Sequence, residues 1–550
     1  YGLTWALTKL KERSQVLIYA ALALASLYWQ QIPAPAQWLN ASGDPALEVM
    51  ALLLKNIAVP GLFLASISGT VQVWYARARL GDPYPLYAVS NVGSLTALLS
   101  YPLLVEPNLA VGQTLKWWSF GYLALVVLTI VAALPLWRIS AALPFRQETV
   151  ALPQSRQAQD LARGEFVWWT FLSMSAALVL MSFSAYLTSD IAPVPLLWVL
   201  PLFVYLLSFV LVFSGKRFYR PILFSHSWLF VACFEPMLGL QQFSFVRVGV
   251  VLLLVFLMCM ICHGELAACK PQLPRLPAYY FSMALGGALA GLLSVVIAPQ
   301  LFDFEFERYL SFLVVAYITL IVIYQRKLYM GGSSFASYLF TSLCAGGLFA
   351  ISLAQMSPPN VVQRMRNFYS CVKVIKTKDR IQLVHGRILH GEQFIDEDRA
   401  QKPTLYYLLP VALLDQFLRS QNHNASLNIA AIGLGTGTLA TYGRKGDCLT
   451  FFELDPKIKL IASNWFSYLE KSRASIDVKL GDARTTLERL DGQAYDLIFV
   501  DAFNGDAIPL HLLSREGVAV YKKHLKADGL LVFHLTNKFI DLPTPVAKVA

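Results

Sequence analysis

The fold of the second half of this chain is decided by residues 429–456, IAAIGLGTGTLATYGRKGDCLTFFELDP. The apolar run 429–432 predicts a buried strand, which is followed by glycines at alternate positions: Gly433, Gly435 and Gly437. A helix is predicted next, and then a second strand that ends at Glu453. Such glycines let the backbone approach a nucleotide-like ligand, and a carboxylate at the tip of the next strand can accept ribose hydroxyls. The stretch therefore predicts a nucleoside-binding α/β domain, with an ordinary strand–helix turn as the alternative.

Three further strands are predicted at 476–480, 495–500 and 529–534. Asp482 and Ala483 follow the first of them, and Asp501 follows the second. Strands that alternate with helices predict a doubly wound parallel sheet, whose ligand lies at the carboxyl ends of the strands. Glu453, Asp482 and Asp501 are all expected at that edge. The GxGxG turn and the short distance from glycine to acid favour a methyltransferase-like, Rossmann-like sheet over a dinucleotide-binding one.

The composition of the whole chain is that of an integral membrane protein. Of its 550 residues, 56% are hydrophobic and 14% are charged, which excludes a soluble globular protein. Apolar runs of the roughly 20 residues that cross a bilayer occur at 15–32, 50–75, 87–105, 114–137, 166–188, 195–213, 221–239, 246–264, 277–299, 308–325 and 335–356. Residues 1–7 resemble the end of a further helix, so an all-α membrane domain of about eleven helices plus a partial first is expected.

The chain divides into three predicted domains. The multi-pass transmembrane domain covers 1–356, and the composition changes sharply after it. Strands at 372–375 and 381–384 predict a small β-hairpin subdomain over 357–400. A helix at 401–420 then leads into the α/β domain over 401–550, which is expected to continue past the end of the sequence, as the membrane domain is expected to begin before its start.

Several motifs carry a resemblance to a known family. They are RNFY at 366–369, HGRILHG at 385–391, TLYY at 404–407 and DAFNGDAIP at 501–509, with LYAVSNVGS at 86–94 and PLLWVLP at 195–201 in the membrane half. The chain thereby resembles the spermidine synthase (polyamine aminopropyltransferase) family, and in particular its bacterial members with an N-terminal multi-pass domain. The resemblance implies transfer of an aminopropyl or other alkyl group to an amine. S-adenosylmethionine or its decarboxylated form would be the co-substrate, and no tightly bound cofactor is implied.

The resemblance also implies roles for individual residues. Glu453 would hold the donor's ribose, Asp482 its adenine beside Ala483, and Asp501 would be the general base. The remaining pocket candidates are His390, Gln393, Tyr406, Tyr407 and Asp506. His534 and Asn537 could line the far edge of the pocket, although His534 is expected rather to pack beneath the sheet. No cysteine or histidine spacing typical of a metal site is present, and no metal is expected.

Three positions depart from the family pattern. Thr436 stands where the family has the aspartate that holds the aminopropyl ammonium, and Leu408 replaces a glutamate of the amine pocket. Asp501 and Asp506 are five residues apart where the family's paired acids are three apart. Each loss removes a charge that would offset the desolvation of an ammonium group, so putrescine is expected to be a poor substrate. The alternative function is a non-catalytic scaffold or assembly subunit of a membrane complex, and a transporter is the less favoured one.

Loop charge predicts the sidedness of the membrane domain. Lysine and arginine are rich in loops such as 9–13, 138–163 and 216–220, whereas the opposite loops carry acids such as Asp303 and Glu305. The rich side is cytoplasmic by the positive-inside rule, which places the protein in the bacterial inner membrane. The net charge of +11 then needs no nucleic-acid partner. The expected partners are the lipid bilayer and other membrane subunits or a second copy.

Two arguments disagree about the side of the C-terminal domain. Eleven crossings from a cytoplasmic start bring the chain out after residue 356 on the extracytoplasmic face. S-adenosyl donors are cytoplasmic, which favours the other face, and one miscounted helix reverses the count. The span 335–356, diluted by serines and glycines, is the weakest crossing. Because the earlier alternation is regular, the sequence favours an extracytoplasmic domain.

Overall fold

The computed structural model describes residues 2–549 apart from 30–44, 79, 82, 143–155, 191–194, 235–244, 273–274, 327–338, 340, 345, 348–349, 351–358, 368, 387, 422–424, 491, 493, 503–508 and 537–540. The chain divides into two compact units. The first comprises Tyr1–Ser184, Trp198–Ser294 and Glu307–Phe349, and the second comprises Ala185–Leu197, Val295–Phe306 and Ala350–Ala550.

The N-terminal part is helical. Its helices are Gly2–Leu7, Glu12–Trp29, Pro45–Arg77, Tyr84–Ser100, Glu106–Asn108, Val111–Ala142, Arg156–Asp190, Pro195–Ser214, Pro221–Phe234, Phe245–Ala268, Leu276–Gly291, Ala298–Leu301 and Phe306–Arg326. Among the described residues, seven helical stretches are long and apolar enough to cross a membrane: Met50–Arg77, Tyr84–Asn108, Val111–Arg138, Arg163–Thr188, Phe245–Ala268, Leu276–Leu301 and Phe306–Gln325. Each coincides with one of the eleven predicted spans.

The other four predicted spans do not correspond to any of these seven helical stretches. Within the helices Pro195–Ser214 and Pro221–Phe234, the apolar stretches Val199–Ser214 and Pro221–Cys233 are shorter than 18 residues. The first of them contains Pro201. The helix Glu12–Trp29 covers residues 15–29 of the predicted span 15–32 and is not among the seven; residues 30–32 lie outside the described residues. Most of the predicted span 335–356 lies outside the described residues, and so does the predicted boundary at 356.

The subdomain that precedes the α/β domain is a four-stranded antiparallel sheet. Its strands are β1 (Val361–Arg366), β2 (Cys371–Lys376), β3 (Arg380–His385) and β4 (Ile388–Phe394), hydrogen-bonded in that order. The sequence predicts the central hairpin, β2 with β3, but not its two neighbours. Strand β4, ILHGEQF, contains a glycine and three polar side chains, and only Ile388 and Phe394 at its two ends are of the β-branched and aromatic types typical of strands.

The α/β domain contains a five-stranded sheet made of β5 (Asn428–Ile432), β6 (Cys448–Glu453), β7 (Ser475–Leu480), β8 (Tyr495–Val500) and β9 (Leu525–Phe533). The order is β7-β6-β5-β8-β9 and every pairing is parallel. The predicted fold class, a membrane all-α domain followed by a Rossmann-like parallel sheet, is confirmed.

Both faces of the parallel sheet are buried. Side chains alternate along each strand, so Ile429 and Ala431 pack on one face while Ala430 and Ile432 pack on the other. The first face packs against the helices Pro410–Gln421 and Pro456–Trp465, through Leu418 and Ala462. The second face packs against Ala483–Glu488 and Arg515–His524, through Leu487 and Tyr521. A further helix, Pro543–Val549, follows β9. Coverage of both faces explains why the three central strands, β5, β6 and β8, are almost continuously apolar.

Two predicted helices are shorter than expected. The segment after the glycine turn forms only a 3₁₀ turn, Thr438–Tyr442, because the backbone is extended at the next residue, Gly443, with a φ of −64° and a ψ of 130°. The helix predicted over 401–420 begins only at Pro410, after a short turn at Leu405–Tyr407. That turn brings Tyr407 to the carboxyl edge of the sheet.

Candidate functional site

A cavity of about 560 Å³ lies at the carboxyl ends of the parallel strands. This volume is within the range of about 300–1,000 Å³ typical of small-molecule sites. Its lining is mostly apolar and includes Val372, Leu383, Ile388, Leu389, Leu405, Ile432, Leu434, Phe452, Leu454, Ile458 and Leu512. A smaller set of polar and ionisable side chains enters the same space: Tyr369, Ser370, His385, His390, Tyr407, Glu453, Asp455, Asp482, Asp501, His511, His534 and Thr536.

The glycine turn forms one wall of this cavity. Gly433 has a φ of +100°, and a Cβ at this position would lie 2.2 Å from the carbonyl oxygen of Asp501. Gly433 therefore has no room for a side chain, and its backbone, at the end of β5, packs directly against the residue that follows β8. Gly435 also lines the cavity. Gly437 precedes the 3₁₀ turn in a left-handed conformation and faces Leu469.

Glu453 lies at the end of β6 with its carboxylate held by backbone donors. The Leu434 N–H donates to Oε2 at 3.0 Å and the Asp455 N–H donates to Oε1 at 2.8 Å. Burial raises the pKa of Glu453 to about 7, although these hydrogen bonds lower it in part. The carboxyl group therefore titrates in the neutral range, at the position where a ribose would be recognised.

Asp482 follows β7 and caps the helix Ala483–Glu488. The Thr485 N–H donates to Oδ1 at 2.9 Å, and His511 Nε2 lies 2.7 Å from Oδ2. Burial by itself would raise the pKa of Asp482, but the hydrogen bonds from His511 and Thr485 lower it below its ordinary value. Asp482 is thus a carboxylate, and Ala483 lines the cavity beside it. No motif or spacing in the sequence predicts that His511 lies here.

Asp501 is the centre of a three-residue hydrogen-bonded group. Tyr407 Oη donates to Oδ2 at 2.5 Å, and His534 Nδ1 lies 2.8 Å from Oδ1. The side chains of Asp501 and His534 are 10% and 17% exposed, and all three residues line the cavity. The expectation that His534 packs beneath the sheet is wrong, because residue 534 follows the end of β9 and turns to the edge where Asp501 lies.

His390 projects from β4 into the same cavity. Burial, together with the neighbouring His385, lowers the pKa of His390 to about 4, so its ring is neutral at physiological pH. Its Nε2 atom is buried and has no hydrogen-bond partner within the described part of the chain. An unsatisfied buried nitrogen at a cavity wall is typical of a ligand contact.

The other expected pocket residues occupy different places. Gln393 is buried, donates to Ala400 O and Ser467 Oγ, accepts from the Ser467 N–H, and is not among the described residues that line the cavity. Its role there is to join β4 to the α/β domain. The side chain of Tyr406 and the whole of Asp506 and Asn537 lie outside the described residues.

Thr436 is packed away from the cavity wall. It is 2% exposed, its Oγ1 atom is 2.9 Å from Thr438 Oγ1, and it is so close to Gly391 that a Cβ there would lie 2.4 Å from Thr436 Oγ1. Position 436 is therefore part of the contact between β4 and the glycine turn. A longer or charged side chain at this position has no free space to reach a ligand.

Two curated proteins similar in sequence to part of this chain are a polyamine aminopropyltransferase and a probable one. No family model matches the chain. The chain is 38% identical over 120 residues to the polyamine aminopropyltransferase of Vibrio vulnificus (strain CMCP6), covering 20% of this chain and 40% of the relative. It is 28% identical over 183 residues to a probable polyamine aminopropyl transferase of Bifidobacterium longum (strain NCC 2705), covering 32% and 37%. The chain thus spans about two fifths of the length of these curated relatives.

Two solved structures are also similar to this chain. A probable spermidine synthase from Corynebacterium glutamicum aligns with a TM-score of 0.27 at 18% identity, covering 32% of this chain and 63% of that one. Spermidine synthase from Thermotoga maritima aligns with a TM-score of 0.26 at 16% identity, covering 34% and 64%.

Proposed function

We infer, from the premise that the C-terminal half of this chain belongs to the polyamine aminopropyltransferase family, that it binds an S-adenosyl donor and transfers an alkyl group to an amine. The donor we propose is decarboxylated S-adenosylmethionine and the group an aminopropyl group. The observation that carries the proposal is the single cavity edge at which Gly433, Glu453, Asp482 and Asp501 meet.

The residues of this edge suit a nucleoside. Glu453, fixed by two backbone donors, can accept hydrogen bonds from both ribose hydroxyls, and the turn at Gly433 and Gly435 lets the backbone come close to the ligand. Asp482 can accept from the adenine amino group in place of His511, whose side chain is 49% exposed and free to move outward. The apolar remainder of the lining suits the adenine ring and the methylthio group.

The transfer itself needs an amine without its proton and a dry site. The amine nitrogen attacks the methylene carbon bonded to the sulfonium sulfur, the carbon–sulfur bond breaks, and neutral methylthioadenosine leaves. The proton lost by the amine must be accepted by the protein. The Tyr407–Asp501–His534 group lies at the cavity wall, where it can accept this proton. Carboxylate and imidazole side chains are the usual proton acceptors.

We propose an acceptor other than putrescine. Putrescine carries two ammonium groups, and each needs a carboxylate to offset its desolvation. Leu408, where the resemblance implies a glutamate of the amine pocket, is uncharged and 60% exposed. Neutral imidazole rather than carboxylate at His390 favours an acceptor with one amine.

The test is product formation by the full chain in detergent. Decarboxylated S-adenosylmethionine is supplied with mono-, di- and triamines, and methylthioadenosine is measured. Methylthioadenosine released only when an amine is present supports the proposal, and the amine that gives the fastest release identifies the substrate class. Full-rate synthesis of spermidine from putrescine would contradict the proposed acceptor. No release with any amine would contradict the transfer reaction.

We also propose that the protein is anchored in the inner membrane with the C-terminal domain outside the cytoplasm. Two contacts within the second unit support this sidedness: Arg366 Nη1 donates to Phe304 O at 2.9 Å, and the Arg364 guanidinium lies 5.2 Å from the centre of the Phe304 ring. Residues 302–306 form the acidic loop with Asp303 and Glu305, which the positive-inside rule assigns to the extracytoplasmic face. The activity of purified protein does not depend on sidedness, so the two proposals are tested separately.

A further inference from the structure

We propose that His534, and not Asp501, takes the proton from the acceptor amine, with Asp501 positioning the imidazole and stabilising its charged form. The inference rests on the proposed alkyl transfer and assigns the base within it. Its starting point is the hydrogen bonding of Asp501, which differs from that of a carboxylate free to act as a base.

Both carboxylate oxygens of Asp501 already accept hydrogen bonds. A tyrosine hydroxyl beside a carboxylate donates its proton, so Tyr407 occupies Oδ2, and His534 Nδ1 occupies Oδ1. Hydrogen bonds to the charged form of a carboxylate stabilise that form and weaken it as a base. Asp501 is therefore placed to orient the His534 ring and to offset the charge of an imidazolium.

The same contact fixes the tautomer of His534. Because Nδ1 faces a carboxylate, it carries the hydrogen atom, and the lone pair of the neutral ring is on Nε2. Nε2 lies 2.9 Å from Thr536 Oγ1, and both residues line the cavity. The Thr536 side chain is exposed and its hydroxyl rotates, so an amine can replace it as the hydrogen-bond partner of Nε2.

The proton transfer balances as follows. The attacking nitrogen forms its bond to the methylene carbon as the carbon–sulfur bond breaks, and the electron pair of that bond stays on sulfur. The nitrogen gives one proton to His534 Nε2, which makes an imidazolium ion. The Nδ1–H of this ion remains hydrogen-bonded to the Asp501 carboxylate, which offsets the new charge. Solvent removes the proton after methylthioadenosine has left.

Among the described residues, the titratable groups that share this part of the cavity do not compete for this role. Asp501 follows the end of β8 and Tyr407 lies in the turn before Pro410–Gln421, and the two are hydrogen-bonded to each other. His390 projects from β4, and burial keeps its ring neutral. His534 is the imidazole of this set that a carboxylate orients.

The experiment compares His534→Ala with Asp501→Asn in the assay for methylthioadenosine. His534→Ala is expected to lower kcat by about 10²–10⁴-fold, the usual contribution of a general base, with the KM for the donor changed by less than about threefold. Added imidazole should restore part of the activity of His534→Ala and none of that of Asp501→Asn. His534→Gln, which can still donate to Asp501 but cannot accept a proton, should remain inactive.

Folding and specificity are controlled separately. Calorimetry with methylthioadenosine checks that each variant still binds a nucleoside, and Glu516→Gln, an exposed carboxyl on the helix Arg515–His524, should leave kcat unchanged. Activity of His534→Ala near that of the unmodified protein, with the same pH profile, would overturn the assignment. A lack of imidazole rescue in a variant that binds nucleoside would overturn it as well. An inactive unmodified protein would instead contradict the transfer reaction.

Discussion

Among the individual residues, Glu453 gives the clearest pH-dependent prediction. Its folded-state pKa is about 7, raised chiefly by burial above the ordinary 4.5, and ribose hydroxyls bind its ionised form. Affinity for methylthioadenosine should therefore fall as the pH is lowered from 8 to 6, measured by calorimetry. Glu453→Gln should weaken binding roughly 10- to 100-fold at pH 8, because a charge-assisted contact contributes about 1.5–3 kcal/mol.

The control for this prediction is Asp477→Asn, an exposed carboxyl on β7 that pairs with Lys479. It should leave both the affinity and its pH dependence unchanged. Glu453→Gln should also remove the pH dependence. If the two variants behave alike, Glu453 does not contact the ligand.

The same raised pKa has a consequence for the unliganded protein. A carboxyl group whose folded-state pKa lies above its unfolded value disfavours folding when it is ionised, so stability decreases as the pH rises from about 4.5 through 7. The midpoint of thermal unfolding of the unmodified protein should therefore fall over this window more steeply than that of Glu453→Gln. Equal slopes would show that Glu453 is not the titrating group.

For Thr436→Asp, the family pattern and the structure lead to opposite expected effects on donor binding. The family pattern suggests that an aspartate at this position would restore a contact with the donor. Thr436 is instead packed against Gly391 and Thr438, so the new charge would be buried without a cation. The variant should lower the thermal unfolding midpoint and leave donor affinity unimproved, whereas Thr436→Ser should be close to the unmodified protein. Tighter donor binding by Thr436→Asp would contradict this placement.

The site residues that the sequence predicts all lie at strand ends, whereas those that it does not place at the site lie in turns. Gly433, Glu453, Asp482 and Asp501 follow apolar runs that can only be parallel strands, and strand ends meet at one edge. His511 and His534 reach the same edge through turns that follow no periodic pattern. No spacing along the chain indicates that His534 meets Asp501, 33 residues earlier.

At the scale of secondary-structure elements, the glycine turn after β5 packs directly against the end of β8. Gly433→Ala would place a Cβ 2.2 Å from the Asp501 carbonyl oxygen, at a φ of +100°. The strands must separate or the turn must change, at a cost of roughly 1–3 kcal/mol. We expect a lower thermal unfolding midpoint and weaker methylthioadenosine binding. Gly121→Ala, in the helix Val111–Ala142 with open space around the new Cβ, is the matched control and should change neither.

The elements that the sequence predicts well are those with a strong periodic signal. Strands β5, β6 and β8 are predicted because they are apolar and buried on both faces, and β7 is predicted from the alternation of Ile476, Val478 and Leu480. Strand β4 is not predicted, because its polar side chains are satisfied by tertiary contacts such as those of Gln393 with Ser467. The helix expected after the glycine turn is only a 3₁₀ turn, because the backbone is extended at Gly443.

For the whole molecule, sidedness can be tested with trypsin. Lys378 and Arg399 lie in exposed turns of the subdomain that precedes the parallel sheet. If the domain is extracytoplasmic, trypsin should cleave there in intact spheroplasts, and the double variant Lys378→Gln/Arg399→Gln should be cleaved more slowly. Protection in intact spheroplasts, with cleavage only after lysis, would place the domain in the cytoplasm, where S-adenosyl donors are made.

The central claim is that the cavity holds an S-adenosyl donor, and calorimetry on the full chain in detergent tests it most directly. Decarboxylated S-adenosylmethionine, S-adenosylmethionine and methylthioadenosine are titrated into the unmodified protein and into Glu453→Gln. We expect the decarboxylated donor and methylthioadenosine to bind with Kd values of about 1 µM–1 mM, the range of enzyme substrates, and to compete for one site that Glu453→Gln weakens. Folded protein that gives no heat with any of the three would contradict the claim and favour a non-catalytic scaffold.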